Sequence, residues 1–405
     1  MPAHQLPADF FQRLATPALA QDPYAQLERL RVDPAPRLRS GEVVLGHHAD
    51  VERVLRSPVF LKPRLPPVPL RSVRTMLRMF LLLNAPDHPR LRRAVAPLFT
   101  PAAVAARRDL IECEVERLLH GRTDLDVVRD LAYPLPLHLV CTWLGVRRGD
   151  EPRIEEWAKV LLANLDGPVP LGPRDAVRYA AAVARRRSRP VATVLAIRAI
   201  GAYARDLLRG DGDAEFLVVL RAAVADGTMS EDEAVATWAL LVIAGHETTA
   251  NLIGNTVHLL MAHPQQLADL QDDGSLVGAA IEESLRVESP VPMGVRVPSE
   301  PVSLAGHDLD AGAPVFVVIA SANRDPEVFT DPDRFDLRRD AVANIAFGHG
   351  AHVCIGAQLA RTEASAAVAA VVARRPVGIG GRPRWRPTFA TRSLEALPVR
   401  LGSSA

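Results

Sequence analysis

One cysteine stands where a polypeptide can hold a thiolate. The segment Phe347-Gly-His-Gly-Ala-His-Val-Cys-Ile-Gly356 sets Cys354 in a glycine-rich loop, directly ahead of an alanine-rich helical run from Ala357 to Arg374. A helix N-terminus offers free N–H groups and the positive end of its dipole, and both lower the cost of a negative sulfur. Gly348, Gly350 and Gly356 lack a Cβ, so the backbone can fold tightly and bring N–H groups to that sulfur. A cysteine without such surroundings is ordinarily a small buried hydrophobe.

A single thiolate in this nest suits the axial position of a haem iron, where it pushes electron density toward dioxygen and favours O–O cleavage. Cys113 and Cys141 are far from Cys354 and form no Cys-x-x-Cys with it or with each other. Neither a disulfide framework nor a zinc ribbon is expected, and a reducing cytosol fits.

A second constellation lies in the longest helical stretch, Glu231 to about Ala262, opened by the capping box Ser230-Glu-Asp-Glu233. Within it, Ala244-Gly-His-Glu-Thr-Thr249 places glycine where it costs about 1 kcal/mol relative to alanine. Ala244 and Thr248 share one face and leave room for a small polar ligand. Glu247, about 100° away around the helix, is placed to relay protons from solvent. His246, His258 and His263 lie on the same helix without the His-Glu-x-x-His spacing of a zinc site.

These two segments resemble the haem-ligand signature and the oxygen-activating segment of the cytochromes P450. The first matches in Phe347, Gly350, the basic His352 two before the cysteine, Cys354 and Gly356; the second matches the family's Ala/Gly-Gly-x-Asp/Glu-Thr at Ala244 to Thr248. The resemblance implies haem b with Cys354 as iron ligand, Thr248 hydrogen-bonding dioxygen, and Glu247 helping to deliver protons. Glu283-x-x-Arg286 and Pro332-Asp-Arg-Phe335 resemble the family's buried Glu-Arg-Arg cluster, which makes Arg334 the expected third member and gives all three a structural role. Asn323-Arg-Asp-Pro326 matches the family's usual run just upstream. Haem propionates need cationic or hydrogen-bonding partners. The resemblance puts His88 and Arg92, four apart on one helical face, with Arg296 and His352 at those positions. The family's Asp-Pro-Pro is here Asn84-Ala-Pro86, a departure that bears on the local turn.

The fold expected is mainly α with small β-sheets, the cytochrome P450 fold, as one domain over 1–405. No Gly/Ser linker, acidic tail or repeat divides the 405 residues. Helices are read at Asp22–Arg31, Ala49–Leu55, Pro89–Phe99, Ala102–Leu119, Val277–Val287 and, in two pieces broken near Ser188-Arg-Pro190, Asp175–Leu208. Strands are read at Glu42–Leu45, Val302–Leu304 and Val315–Ile319. The 34 prolines cluster between these stretches and imply ordered, irregular connections.

A net charge of +1 gives no global field for nucleic acid or a membrane surface. The apolar runs are too short to span a bilayer, so a soluble protein is expected; it is read as cytoplasmic and as a monomer. The family reading implies a haem-thiolate monooxygenase that takes two electrons from a small acidic ferredoxin and its NAD(P)H-dependent reductase, docked near Arg107, Arg108, Arg338, Arg339 and Arg361. Its substrate is expected to be small and largely hydrophobic, as in bacterial natural-product biosynthesis. Contacts are expected from Pro66–Phe80, Leu161–Leu171, Ala239–Ala244 and Val291–Val295. The arginine-rich run 178–205 would greet an anionic substrate, or an acidic carrier protein presenting one, if it is more than a solvated helical face. A peroxide-driven peroxygenase and a non-catalytic haem or recruitment module are the alternatives; retention of Glu247 and Thr248 argues against both.

Overall fold

Helix dominates the chain, and strands are short. The computed structural model describes residues 5–33, 35–65, 69–162, 189–340, 344–379 and 383–402. The helices that position candidate functional residues are α1 (His48–Arg56), α2 (Asp87–Val95), α3 (Arg189–Arg209), α4 (Glu231–Ala262), α5 (Val277–Val287) and α6 (Ala357–Ala373). The described residues fall into two compact units. One comprises Met1–Leu61, Val104–Leu135 and Thr248–Ala405, the other Lys62–Ala103 and Pro136–Glu247, so the chain passes between them four times. Helix α4 contributes to both.

The first unit is built on a six-stranded sheet: β1 (Gln5–Leu6), β2 (Arg37–Leu38), β3 (Val43–Leu45), β4 (Phe60–Leu61), β5 (Gly294–Pro298) and β6 (Val315–Val317), in the order β1-β2-β3-β6-β5-β4. At its centre Val43-Val44-Leu45 runs parallel to Val315-Phe316-Val317, and all six side chains are buried. Continuous β-branched and aromatic runs of this kind belong to strands covered on both faces. One face carries α1 through Val51, Val54 and Leu55. The antiparallel β5 pairs Arg296 with Val315 and so holds that arginine at the sheet. Sequence reading finds β3 and β6 but misses β5, whose two prolines nearby mask a strand period. Where it extends a strand to Ile319, a short helix (Ile319–Ala322) begins instead.

In the second unit the capping box forms as read. Ser230 N–H donates to Glu233 at 2.8 Å, and the Glu233 N–H donates to Ser230 Oγ at 3.3 Å. Glu233 is also bound by Arg90 at 2.8 Å, which holds its carboxyl down to about 2. Every residue from Ala234 to Val242 is buried, as befits a helix apolar all round. Asn84, where the sequence departs from the family's Asp-Pro-Pro, pairs both its amide atoms with the Lys62 backbone, at 2.9 and 3.0 Å. The Asp22–Arg31 helix is a turn of α-helix followed by a 3₁₀ turn, and Ala102–Leu119 is broken into Pro101–Ala105 and Arg108–Leu119. The helix break read near 188–190 lies at the edge of the described residues. No described helix is long and apolar enough to cross a membrane.

Candidate functional site

The Cys354 loop is tied at several points within the first unit. Ile345 N–H donates to Asn323 Oδ1 at 2.9 Å, Gly348 N–H to Ile345 O at 2.9 Å, and Cys354 N–H to Phe347 O at 2.9 Å. Gly348 and Gly350 adopt φ of +71° and +68°, a region that favours glycine. A Cβ on Gly350 would stand 2.5 Å from the Leu55 carbonyl oxygen, so the C-terminal end of α1 backs directly onto the loop. The Phe347 ring lies 4.5 Å beneath the Arg361 guanidinium, which binds Glu282 at 2.5 Å. Cys354 is exposed and stands two residues ahead of Gly356, the N-cap of α6. His352 closes the 3₁₀ turn Gly350–His352.

Arg296 on β5 supplies the test of whether these residues fit a haem. It is 5% exposed, and it donates to a backbone carbonyl, Val295 O, at 2.9 Å. Burial pushes its pKa down to about 10. Among the described residues it has no acidic partner. A buried guanidinium without a carboxylate is costly unless a ligand anion supplies one. A thiol at the end of a helix-capping loop and a buried, uncompensated arginine in the same unit match the donors that a haem requires: a soft ligand for iron and a cation for a propionate.

In the second unit, His88 and Arg92 lie one turn apart on α2. His88 is buried, and burial first, then the charges of Arg92 and Lys62, depress its pKa. It is therefore neutral near pH 7 and suited to hydrogen bonding, while half-buried Arg92 supplies charge. On α4, Ala244 and Gly245 are exposed although the helix before them is buried. Gly245 has a packing reason that offsets its cost in the helix: a Cβ there would meet Val140 Cγ2 at 3.3 Å. Glu247 is 6% exposed, and Thr248 is half-buried. His246 is buried, with Nδ1 2.9 Å from the Val242 carbonyl, and His263 makes the same contact to Leu259 at 2.8 Å. These histidines serve their own helix. The one described group with metal-like spacing, His47, Asp325 and Glu327, lies elsewhere. There Asp325 accepts from the His48 N–H at 2.8 Å at the start of α1.

The structural cluster needs a correction. Arg286 grips Glu283 with Nε and Nη2, both at 2.8 Å, as expected from an i, i+3 pair. The third member is Arg339, whose Nε lies 2.9 Å from Glu283, and not Arg334. The Arg334 side chain is 62% exposed and approaches Asp336; its part is to accept Arg286 and Arg339 at its carbonyl oxygen, 2.9 Å from each. The chain turns after Phe335, which points the later arginine inward. The same burial, 13% exposure for the Arg339 side chain, removes Arg339 from the surface contacts expected for an electron donor. Sequence reading also passes over Glu282–Arg361 and a buried network in which Glu288 accepts from Tyr24 Oη at 2.5 Å and Arg392 Nε at 2.6 Å. No local spacing signals the second: Tyr24 and Arg392 lie at opposite ends of the chain.

Comparison with known proteins gives one answer. Residues 204–375 match the family model described as Cytochrome P450. The biotin biosynthesis cytochrome P450 of Bacillus subtilis is 36% identical over 330 residues, 80% of this chain and 80% of that relative. The cytochrome P450 monooxygenase PikC of Streptomyces venezuelae is 37% identical over 403 residues, 94% of this chain and 91% of that one. A crystal structure of P450BioI in complex with an acyl carrier protein ligated by hexadec-9Z-enoic acid superposes with a TM-score of 0.85 at 30% identity, covering 95% of this chain and all of that one.

Proposed function

The chain belongs to the cytochrome P450 family, and from that premise we propose which residues hold the haem b of this monooxygenase and what it oxidises. Haem b on a cysteine thiolate supplies the activation of dioxygen with two external electrons and the insertion of one oxygen atom into a substrate. Cys354 is the thiolate ligand. Phe347, Gly350 and Gly356 shape its loop, and Ala244 leaves room on α4. Arg296, His352 and Arg92 meet the propionates by charge or hydrogen bond, and neutral His88 by hydrogen bond. Thr248 offers its hydroxyl toward dioxygen, and the Glu247 carboxyl holds and delivers protons. Glu283, Arg286 and Arg339 fix the core beneath the cysteine loop.

The observation that carries this reading is the Cys354 loop, held by Asn323, two positive-φ glycines and α1 within one unit. One domain over 1–405 is supported by the four passages of the chain between the two units. The electron donor is a small acidic ferredoxin with its reductase, and Arg107, Arg108, Arg338 and Arg361 are its contacts. The protein is read as a cytosolic monomer, and three cysteines without a Cys-x-x-Cys fit a reducing compartment. The substrate is a small, mainly hydrophobic biosynthetic intermediate, in line with the role named for the Bacillus relative. The acyl carrier protein bound to P450BioI supports delivery by an acidic carrier. Of the arginine run expected to greet it, residues 178–188 lie outside the described residues, as does most of Leu161–Leu171 and part of Pro66–Phe80.

Reduced enzyme under carbon monoxide should show the family's long-wavelength Soret band, and Cys354→Ser should abolish it. An unchanged spectrum in the variant would overturn the assignment. Glu247→Gln should slow ferredoxin-driven turnover by about 10²-fold or more while leaving that band intact. Turnover with H₂O₂ at the reductase-driven rate would instead favour the peroxygenase.

A further inference from the structure

A cleft in the second unit carries charges that the haem assignment leaves unused. The short helix Arg71–Met76 packs on α3 and leaves a cavity of about 420 Å³ lined by Arg71, Thr75, Met76, Arg198, Gly201 and Arg205, among others. The whole lining holds four arginines against one glutamate. Two of the arginines are committed. Arg205 binds Asp232 at 2.7 Å and lies 3.8 Å from Glu231, and Glu231 is held by Arg209 at 2.8 Å. Arg71 and Arg198 differ: both are exposed, and among the described residues neither has an acidic partner. A second cavity of about 460 Å³ shares Arg71 and Thr75, so the opening continues around the short helix.

The floor of the cleft is apolar. Met76 and Gly201 are buried, and Ile197 is half-buried. Glycine in mid-helix costs about 1 kcal/mol relative to alanine. A Cβ at position 201 would nevertheless meet Met76 Cε at 3.6 Å, an ordinary contact, so neither backbone nor packing requires glycine there. What Gly201 leaves is space beside Met76. Two planar guanidinium forks with unused donors, above an apolar floor in a cavity of small-ligand size, specify a ligand class.

We propose that this cleft binds an organic oxyanion, a carboxylate or phosphate on an apolar stem. Arg71 and Arg198 grip the oxygens, and the stem lies along Met76 and Gly201. The site goes beyond the haem assignment and does not depend on turnover. The test is calorimetric titration of haem-loaded enzyme, at low salt with imidazole on the iron, using octyl phosphate, octanoate and octan-1-ol. At least one anion should bind about tenfold tighter than the alcohol. Preference for octanoate assigns the site to a free acid, and preference for octyl phosphate to a phosphate ester; either supports the proposal. R71E/R198E, and R198E alone, should weaken the anion by about tenfold or more and leave the alcohol unchanged, while R71K/R198K retains most of the affinity. Equal affinity for all three probes, or unchanged anion binding in both charge-reversed variants, overturns the proposal. The carbon monoxide spectrum of each variant reports the haem site separately, so failure here is distinguishable from failure of the haem assignment.

Discussion

Around Glu283 in the first unit, Arg286 is 1% exposed and donates to both Glu283 oxygens and to the carbonyls of Asn323, Pro332 and Arg334, at 2.6 to 3.0 Å. On α3 in the second unit, the side chains of Arg205 and Arg209 are 26% and 67% exposed and share Glu231. Both clusters set two arginines on one glutamate. The first lies out of water, where each donor must be satisfied and removal of one partner strands a charge. The second lies in water, where a lost pair is replaced by hydration. The contrast teaches that an arginine cluster is read by its burial: the buried one fixes architecture, and the exposed one leaves neighbours such as Arg71 and Arg198 available to a ligand.

The largest expected effect tests the buried side of this contrast. Arg286→Leu leaves Arg339 as the one arginine on Glu283 and takes a donor from the carbonyls of Asn323, Pro332 and Arg334. It should cost about 3 to 5 kcal/mol in denaturant unfolding and sharply reduce haem retention. Arg286→Lys should recover only part, because an ammonium cannot span two carboxylate oxygens. A cost below about 1 kcal/mol for the leucine variant would put the buried cluster level with a surface pair and erase the distinction.

A smaller effect comes from a buried carboxyl that burial keeps protonated. Glu363 on α6 is 2% exposed, its Oε2 has no partner, and burial pushes its pKa up to about 8. The folded state binds the proton more tightly than the unfolded chain, so stability is full below about pH 4.5 and falls as pH rises toward about 8. Glu363→Gln should flatten this dependence and stabilise the protein at pH 8.5 by on the order of 3 kcal/mol, with little gain at pH 5. Denaturation curves at the two pH values decide it. An equal effect at both would mean that Glu363 is not held protonated.

The same split between local and distant partners decides what could be read from sequence. The Cys354 loop, the Ser230 capping box and the Glu283–Arg286 pair each lie within one turn or loop, so residue type and spacing reveal them. Long helices such as α4 announce themselves by length, cap and apolar content. What was missed depends on chain reversals. The choice of Arg339 over Arg334 follows from the turn after Phe335, and the Tyr24–Glu288–Arg392 network from contacts between opposite ends of the chain. Strand β5 is short, holds Gly294 and Pro298, and gains its identity only from pairing with β6. Arg198 falls within the arginine run that sequence reading offers to an anion, whereas the part of Arg71 shows only once Arg71–Met76 is seen packed on α3.

The smallest effect completes the comparison from the exposed side. Glu231 sits in the first turn of α4 and faces Arg209 and Arg205, with its own side chain 39% exposed. Glu231→Gln removes one acidic partner from two arginines that stay hydrated, and it weakens a favourable charge at a helix N-terminus. The cost should be under about 1 kcal/mol at low salt and should vanish in roughly 1 M salt, where charges are screened within about 3 Å. The variant also makes the neighbouring cleft more cationic, so octyl phosphate should bind it more tightly than the parent protein. A salt-insensitive loss of several kcal/mol would show that this cluster behaves like the buried one. The guanidinium groups lining the cleft would then belong to the framework and not to a ligand.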